Sequence, residues 1–322
     1  MNWVLLLPFS FIVYFIVTWL LRKRTIGQIT GRYVFITGCD TGFGRHLALQ
    51  LDKVGFRVVA GCLTEKGQSE LRKEASRRLV PVSLDVTNET SILEARNFVE
   101  GCLPSGKGLW AVVNNAGVAG KIGPAEWMTR EDYVRTLDVN LLGVIEMSRV
   151  FLPLLRRERG RLVNMSSANG SVTVPFFVPY TISKYGVEIF SDSLRPEARK
   201  YGVSVHIIKP GMFDTNIRQV EPIVEGLKRS FEGLAPDVRA FYGRGFLAEL
   251  LTKVKSSPKA TTDTSPVVNA YVHAVTSRHP QYRYHVGLDA HTFWRLLGWL
   301  PDSLSTILYT WVLPSPQGAL RV

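Results

Sequence analysis

Tyr180 and Lys184 are two residues whose types and spacing could support acid–base chemistry. On a helix, residues four positions apart lie on the same face, so the phenol and the ammonium would be neighbours. A phenol has an unperturbed pKa of about 10, and a nearby positive charge stabilises the phenolate and lowers that pKa. Tyr180 could then exchange a proton with an alcohol or carbonyl oxygen. The same spacing is common in ordinary surface pairs, so this interpretation depends on other residues.

A glycine-rich turn at residues 37–44 reads T-G-C-D-T-G-F-G and follows an apolar stretch. Glycine tolerates positive φ and allows the backbone to approach a pyrophosphate, while the N–H groups of a following helix attract negative charge. The turn therefore predicts a dinucleotide site. An ordinary tight turn is the alternative when this segment is considered alone.

Further polar residues follow the turn in a fixed order. The segment 114–117 reads N-N-A-G, Asn140 falls in a predicted helix, and Ser167 ends a fifth apolar stretch. Pro210 and Gly211 follow a sixth. Together with the glycine turn and the tyrosine–lysine pair, these residues resemble the TGxxxGxG, NNAG, Asn, Ser and YxxxK elements of the short-chain dehydrogenase/reductase family.

The resemblance implies a role for each catalytic candidate. Tyr180 would be the general acid/base, and Lys184 would tune Tyr180 and bind the nicotinamide ribose. Ser167 would donate a hydrogen bond to the substrate oxygen, and the family's spacing favours it over its competitor Ser166. Asn140 would hold a water in the proton path; a buried amide bonded to a helix carbonyl is the alternative reading, and both can be true.

The same resemblance, over roughly residues 32–290, implies a nicotinamide cofactor. Asp85 is similar to the family's adenine-contacting aspartate, and Thr215 is similar to its carboxamide-binding threonine. The implied cofactor contacts are Thr37, Gly38, Thr41, Gly42, Phe43, Gly44, Asp85, Asn114, Ala116, Gly117, Tyr180, Lys184, Pro210, Gly211 and Thr215.

The choice between NAD and NADP depends on the residues after the second predicted strand. In dinucleotide folds an acidic residue there binds the ribose 2′-OH, whereas a basic one accommodates a 2′-phosphate. Residues 60–64 read A-G-C-L-T and carry neither charge. Thr41 stands where NADP-preferring relatives often carry a base. The missing cations favour NAD, with NADP as the alternative.

Short apolar, β-branched stretches alternate with amphipathic ones after residue 31, which predicts a parallel, doubly wound α/β fold. The predicted strands are 33–37, 57–61, 79–84, 109–114, 161–165, 203–209 and 282–286. Helices are predicted at about 44–54, 66–77, 89–101, 130–157 and 180–201. We therefore predict a Rossmann domain at 31–290, with a mostly parallel seven-stranded sheet flanked by helices.

The N-terminal segment 1–24 is predicted to be a membrane anchor followed by a basic stop. Residues 3–21 carry no charge, and Arg22, Lys23 and Arg24 follow directly. As a helix the uncharged stretch would span about 28 Å, close to the ~30 Å hydrocarbon core of a bilayer. A signal peptide is the alternative, but its charge should precede the apolar stretch and a small-residue cleavage site should follow it.

Two segments depart from the repeating pattern. Residues 212–260 are predicted to be a substrate-loop insertion after the sixth strand, where loops form ligand sites. Residues 291–322 form an aromatic C-terminal segment that Arg295, Pro301 and Asp302 interrupt. Its pattern suits an interfacial or pocket-capping element better than a membrane span. A helix pair packed on the domain is the alternative.

Composition narrows the possible partners. The 322 residues include 39 Lys and Arg against 27 Asp and Glu, a net charge of +12. No long basic run and no zinc or RNA-binding motif is present, so a membrane surface or an acidic cofactor is favoured over nucleic acid. The 3 cysteines lack metal-ligand spacing and are predicted to be reduced packing residues, and we expect no metal site.

The motifs ITGCDTGFG, CLTEKG, LDVT, GLWAVVNNAG, SKYGVE and FSDSLR, together with the predicted anchor, resemble the membrane-bound branch of the family. That branch contains retinol dehydrogenases and 3α- and 17β-hydroxysteroid dehydrogenases. The resemblance implies a lipophilic alcohol substrate, an endoplasmic reticulum membrane location, and a possible homodimer through 130–157 and 180–201. A catalytically silent NAD(P)-binding lipid carrier or scaffold and a nucleotide-sugar epimerase are the alternatives.

The sequence gives opposing indications for the side of the membrane on which the catalytic domain lies, and three residues depart from the family pattern. The basic triplet after the anchor favours a cytoplasmic catalytic domain. Sequons at Asn88, Asn164 and Asn169 would suit a lumenal one, although Asn164 lies in a predicted buried strand. Pro179, Pro196 and Lys209 are the departures, and we expect them to alter pocket shape rather than the chemistry.

Overall fold

The central element of the fold is a seven-stranded sheet in the order β3-β2-β1-β4-β5-β6-β7. Every neighbouring pair of strands is parallel. The computed structural model describes residues 3–214, 220–256 and 260–319. The strands are β1 (Tyr33–Ile36), β2 (Arg57–Cys62), β3 (Leu79–Ser83), β4 (Ala111–Asn114), β5 (Arg161–Met165), β6 (Ser204–Pro210) and β7 (Arg283–Val286). The predicted doubly wound class is confirmed.

The helices cover both faces of this sheet. They are α1 (Trp3–Arg22), α2 (Gly42–Val54), α3 (Glu65–Glu74), α4 (Glu89–Cys102), α5 (Arg130–Leu137), α6 (Gly143–Glu158), α7 (Val178–Arg199), α8 (Val220–Glu232), α9 (Pro236–Lys255), α10 (Ser265–Thr276), α11 (Leu288–His291), α12 (Phe293–Leu297) and α13 (Asp302–Val312). One core lies between the sheet and the helices α2 and α10, and the other lies between the sheet and α4 and α6. Because both faces are covered, all residues of β4 and β5 are buried, as parallel strands require.

The order of the strands reverses direction at β1 and β4. Chain connections leave these two neighbours toward opposite ends of the sheet, which opens a crevice at their carboxyl ends. The glycine turn follows β1, and the N-N-A-G segment follows β4. Both motifs therefore lie at the position where doubly wound folds bind ligands.

The prediction of a single helix at 130–157 is wrong in one respect. The structure has α5 and α6 separated by a π-helical stretch, Asp138–Leu142, with Asn140 at its centre. A π-helical turn holds an additional residue and often occurs at functional sites. The apolar periodicity of the sequence continues through this region, so it carries no signal for the break.

Helix α7 tolerates both of its prolines. Pro179 lies in the first turn, where a backbone N–H has no partner in the helix and its loss costs little. The helix therefore begins at Val178, two positions before the predicted start. It also continues past Pro196 to Arg199, two positions before the predicted end.

The segment predicted as an insertion contains α8 and α9, which have a small core of their own. Its buried side chains are Trp127, Leu227, Phe231, Tyr242, Phe246 and Leu250. Helix α9 is kinked at Gly243, which has a positive φ of 73°. The C-terminal segment reaches this kink, because the Gln317 N–H donates to the Tyr242 carbonyl at 3.1 Å.

Helix α1 continues into a segment that packs against the end of α10. The Arg22 carbonyl accepts hydrogen bonds from Ser277 Oγ at 2.9 Å and pairs with His273 Nε2 at 3.0 Å. The Ile26 N–H donates to the Thr276 carbonyl at 2.8 Å. Among the described residues, none of the helices combines the length and the apolar character that a membrane crossing requires. The anchor stays a prediction.

Candidate active site

The glycine turn brings the backbone after β1 close to the segment after β4. Gly38 has a φ of 69°, and a Cβ there would lie 2.8 Å from Ala116 Cα. A Cβ on Gly44 would overlap the Gly38 carbonyl oxygen. Gly42, with a φ of 60°, has no heavy atom within 4 Å of the position of a Cβ. The turn is thus closed on the protein side and open on the other, as a pyrophosphate site requires.

Thr37 and Asn115 hold the two segments together. The Thr37 hydroxyl oxygen accepts hydrogen bonds from the N–H groups of Asn115 at 3.0 Å and Ala116 at 2.9 Å. Asn115 Nδ2 donates to the carbonyls of Thr37 at 3.0 Å and Gly38 at 3.1 Å. The sequence analysis did not single out Asn115, although it lies within the quoted N-N-A-G segment.

Ser167, Tyr180 and Lys184 lie together beside the carboxyl end of β5. Tyr180 is hydrogen-bonded to Ser167; burial raises the pKa of Tyr180, and the bond to Ser167 opposes that rise. Lys184 Nζ donates to the Met165 carbonyl at 3.1 Å and lies 5.6 Å from the centre of the Tyr180 ring. Burial also lowers the pKa of Lys184 to about 8. Burial therefore raises the tyrosine pKa, and the lowering expected from Lys184 is not found.

Asn140 is fully buried and faces the same group of residues. Its Nδ2 donates to the Val118 carbonyl at 2.9 Å and to Ser183 Oγ at 3.1 Å. Its Oδ1 accepts from the Val118 N–H at 2.8 Å. A Cβ on Gly117 would lie 3.3 Å from Asn140 Oδ1 and 3.6 Å from Lys184 Nζ. Asn140 thus fixes the loop after β4 against α7.

The two candidate serines have different surroundings. Ser166 is buried, and its hydroxyl donates to the Lys184 carbonyl at 3.2 Å inside the protein. Ser167 Oγ accepts from the Asn169 N–H at 3.2 Å and also reaches Tyr180. The structure therefore places Ser167, and not Ser166, beside the phenol.

Asp289, which the sequence analysis missed, organises the loop after β6. Its carboxylate accepts hydrogen bonds from the Met212 N–H at 2.7 Å and from Trp294 Nε1 at 3.0 Å. A Cβ on Gly211 would overlap this carboxylate. The Gly211 N–H donates to the Val286 carbonyl at 2.8 Å, which continues the pairing of β6, ending at Pro210, with β7. No local pattern connects Asp289 with this loop, and Thr215 lies outside the described residues.

The side chains of two predicted cofactor-binding residues form hydrogen bonds within the protein. Asp85 Oδ1 accepts from the N–H and the hydroxyl of Thr87 at 2.9 and 2.7 Å. Asn114 Nδ2 donates to Ser148 Oγ at 3.1 Å and to Asn164 Oδ1 at 2.9 Å. Any cofactor contact that Asn114 makes therefore involves its backbone or its remaining side-chain oxygen. Phe43, another predicted contact, packs edge-on against Phe213 with ring centres 5.9 Å apart.

A cleft of about 450 Å³ lies next to these residues. It is lined by Thr41 of the glycine turn, by residues 117–122 after β4, and by Pro222, Ile223, Gly226 and Leu227 of α8. The open glycine turn at one end and Lys184 behind Gly117 make this cleft a fitting place for a dinucleotide. The fold and this site together define a dinucleotide-dependent oxidoreductase.

Comparison with known proteins specifies the family. Residues 32–223 match the family model described as short chain dehydrogenase, and the chain belongs to this family. It is thus a nicotinamide-dependent alcohol dehydrogenase of the short-chain type.

The three buried or partly buried cysteines are all free thiols, as predicted.

Individual relatives cover nearly the whole chain. It is 43% identical over 309 residues to "Retinol dehydrogenase 16" of Homo sapiens, covering 96% of this chain and 97% of that one. It is 42% identical over 310 residues to "17-beta-hydroxysteroid dehydrogenase type 6" of Homo sapiens, with the same coverage of 96% and 97%. A short-chain dehydrogenase from Burkholderia cenocepacia, solved with NADP, has the same fold, with a TM-score of 0.66 and 22% identity over 89% of this chain and 99% of that one.

Proposed function

We propose that this protein interconverts a lipophilic alcohol and its carbonyl, of the retinoid or hydroxysteroid class, with NAD as the preferred cofactor. The observation that carries the proposal is the group of Ser167, Tyr180 and Lys184, which lies behind Gly117, a residue that lines the cleft between the glycine turn and α8. The names of the two human relatives support both substrate classes.

Tyr180 and Ser167 act on the oxygen of the substrate. Ser167 donates a hydrogen bond that fixes this oxygen, and Tyr180 takes the hydroxyl proton during oxidation or gives it during reduction. The nicotinamide ring, when bound, accepts or supplies the hydride at the carbinol carbon. Because burial raises the pKa of Tyr180, the phenolate needs the positive charge of Lys184 to form.

Lys184 and Asn140 support the proton transfer by Tyr180. Lys184 holds the cofactor ribose and stabilises the phenolate of Tyr180. Asn140 fixes the loop after β4 through two bonds to the backbone of Val118, at 2.8 and 2.9 Å. In the proposed mechanism, Asn140 also holds a water in the proton path.

The substrate side of the cleft is apolar. Val118 and Ile122 face it from the loop after β4, and Ile223 and Leu227 face it from α8. The core of α8 and α9 behind them contains Trp127. Burial of apolar substrate surface against such a wall stabilises the complex by about 25 cal/mol per Å². A retinoid or steroid skeleton suits this wall better than a sugar nucleotide, which needs polar partners.

We further propose that the chain is bound to the endoplasmic reticulum membrane through segment 1–24, with the catalytic domain on the cytoplasmic face. Support comes from the uncharged stretch 3–21, from the basic triplet that follows it, and from exposed apolar side chains such as Tyr14 and Trp19. A membrane position would keep the protein at the bilayer into which a lipophilic substrate partitions. A homodimer through α5, α6 and α7 is supported by exposed Leu142, Ile182 and Ile189.

The proposal is tested by following reduced-cofactor fluorescence in microsomes that contain the full chain. NAD and NADP are supplied separately against all-trans-retinol, 11-cis-retinol and a 3α-hydroxysteroid. We expect turnover with NAD, and we expect Tyr180→Phe to lower kcat by about 10²–10⁴-fold. Tyr185→Phe, which removes the hydroxyl of another tyrosine of α7, is the matched control and should retain activity.

Three results would contradict the proposal or its mechanism. Cofactor binding without turnover of any of these alcohols or the matching ketones would favour a silent NAD(P)-binding carrier. Turnover of a nucleotide sugar in a parallel screen would favour an epimerase. Turnover that survives Tyr180→Phe would remove this tyrosine from the mechanism.

A further inference from the structure

The carboxylate of Asp40, in the glycine turn, lies at the loop that follows β2. Asp40 Oδ2 accepts a hydrogen bond from the Leu63 N–H at 2.8 Å. Asp40 Oδ1 accepts from the N–H and the hydroxyl of Thr64 at 2.8 and 2.6 Å. A Cβ on Gly67 would lie 2.5 Å from the same carboxylate, so α3 begins directly against it. The three hydrogen-bond donors and the close approach of Gly67 thus fix the position of the Asp40 carboxylate.

This position matters because the carboxyl end of β2 is where dinucleotide folds recognise the 2′ position of the adenosine ribose. The residues of this chain at that place, 60–64, carry no charge. The structure supplies a carboxylate there from a different element, the turn after β1. Asp40 lies 23 and 24 positions before Leu63 and Thr64, so this carboxylate comes from a part of the chain that is distant in sequence from the end of β2.

Arg45, a cation near the end of β2, already forms an ion pair. Its Nη2 lies 2.9 Å from Glu74 Oε1, and its Nη1 is buried with no hydrogen-bond partner among the described residues. Both charges act on the thiol of Cys62, the last residue of β2: burial raises the pKa of that thiol to about 12, Asp40 adds to the rise and Arg45 opposes it. Asp40 and Arg45 therefore both lie near the end of β2, and Glu74 offsets the positive charge.

We infer that Asp40 selects NAD over NADP in this chain. Its carboxylate can accept a hydrogen bond from the ribose 2′-OH, because an ionised carboxylate has about four acceptor positions and three are occupied. A 2′-phosphate at the same place would face a like charge, while the positive charge of Arg45 is paired with Glu74. The inference rests on the proposed use of a nicotinamide dinucleotide and identifies the residue behind the choice.

The test compares the affinities of NADH and NADPH, measured as dissociation constants from quenching of tryptophan fluorescence. Binding is chosen because it does not depend on turnover, so a wrong substrate assignment would not affect it. We expect the wild-type chain to bind NADH more tightly, and we expect Asp40→Asn to shift the ratio of the two constants toward NADPH by about tenfold or more. Asp40→Glu keeps the charge and should retain the NADH preference.

A second variant covers the case in which Asp40→Asn is too unstable to purify. Glu74→Gln changes a half-exposed residue and releases Arg45 from its acidic partner, so the ratio should shift in the same direction. Thr64→Val removes one donor to Asp40 but no charge, and it should leave the ratio unchanged. A ratio that is the same in wild type, Asp40→Asn and Glu74→Gln would overturn the inference, as would a wild-type chain that prefers NADPH.

Discussion

Burial of Tyr180 and Lys184 disfavours the charged form of each side chain, because a charge is solvated less well inside the protein than in water. It raises the pKa of the phenol and lowers the pKa of the ammonium. Reaction in the direction of alcohol oxidation requires the charged form of both, so the two charges must stabilise each other in the working complex. Their separation of 5.6 Å from Nζ to the ring centre is short enough for this.

The first prediction concerns the pH dependence that Lys184 produces. Its pKa of about 8 means that the ammonium loses its proton as the pH rises through that value. A neutral amine holds the cofactor ribose less strongly. We therefore expect kcat/KM for NAD, which reports ionisation of the free enzyme, to fall by up to about tenfold per pH unit above about pH 8. Lys184→Arg stays charged and should show no such fall, whereas a flat wild-type profile to about pH 10 would contradict the prediction.

The second prediction separates Ser167 from Ser166. Ser167→Ala removes the proposed donor to the substrate oxygen and should lower kcat/KM by about 10²–10³-fold, while loss of its bond to the Asn169 N–H should cost about 1 kcal/mol in free energy of unfolding. Ser166→Ala removes a buried bond to the Lys184 carbonyl and should cost about 1 kcal/mol in free energy of unfolding. Steady-state kinetics and urea unfolding of both variants check this. Equal loss of activity in the two variants would argue against the assignment of Ser167.

At the scale of elements, a buried charge network joins β6, α7 and β7. Lys209 Nζ lies 2.9 Å from Glu188 Oε1 and also donates to Ser171 Oγ in the loop after β5. Arg283 Nε donates to Glu188 Oε2 at 3.0 Å, and the same guanidinium pairs with Asp192. The departure from the family pattern at Lys209 thus forms part of the support for the loop that carries Ser167.

The third prediction follows from this network. Lys209→Met leaves Glu188 buried with Arg283 as its remaining partner, and we expect the free energy of unfolding to fall by about 2–4 kcal/mol. The double variant Lys209→Met, Glu188→Leu removes the uncompensated charge and should be more stable than the single variant. Urea unfolding measures both. A single variant as stable as wild type would show that the pair contributes nothing.

The C-terminal segment connects the loop after β5 with the kink of α9. Tyr309 donates its hydroxyl proton to the Thr173 carbonyl, and Gly298 packs against Val172. At its far end the Gly318 N–H donates to the Phe241 carbonyl at 2.9 Å. The described part of the segment is therefore packed on the domain, against the loop after β5 that carries Ser167 and against α9, which packs on the cleft-lining helix α8.

The fourth prediction is that this segment supports the substrate side. Deletion of residues 298–322 removes the contacts at both ends, so we expect KM for a long lipophilic alcohol to rise about tenfold more than KM for a short one. Tyr309→Phe is the milder variant and should cost about 1 kcal/mol in stability. Michaelis constants for long and short substrates that change in parallel would remove the segment from the pocket.

At the scale of the whole molecule, the attachment of α1 gives the N-terminal segment a defined orientation on the domain. The bonds from His273 and Ser277 to the Arg22 carbonyl lie at the amino-terminal edge of the sheet, and the Arg278 N–H donates to the Arg24 carbonyl at 2.6 Å. The helix is therefore joined to the catalytic domain by specific contacts instead of a long linker.

The fifth prediction concerns membrane binding. A chain that begins at Arg22 keeps the contacts to His273 and Ser277 and loses the uncharged stretch 3–21. We expect the full chain to stay in the membrane pellet after alkaline carbonate extraction and the shortened chain to move to the supernatant. The shortened chain should unfold at the same urea concentration as the full chain. Full chain found in the supernatant would contradict the proposed anchor.

The sequence by itself determined the class of fold and the order of the functional segments. Strands were predictable because β-branched apolar runs are a property of consecutive residues, and β5 matches its predicted bounds of 161–165. The glycine turn and the spacing of Tyr180 and Lys184 were predictable for the same reason. The glycine turn, Asn114, Ser167 and Tyr180 all lie at the carboxyl edge of the sheet, and Thr215 lies outside the described residues.

Only the tertiary structure decided which distant residues complete this edge. Asp40 reaches the loop after β2, Asp289 fixes Gly211, and Asn140 lies in a π-helical stretch that splits a predicted helix. Each of these depends on a partner far along the chain, and such a partner leaves no trace in local periodicity or composition. The direction of the Tyr180 pKa shift has the same origin, because burial is a property of packing rather than of spacing.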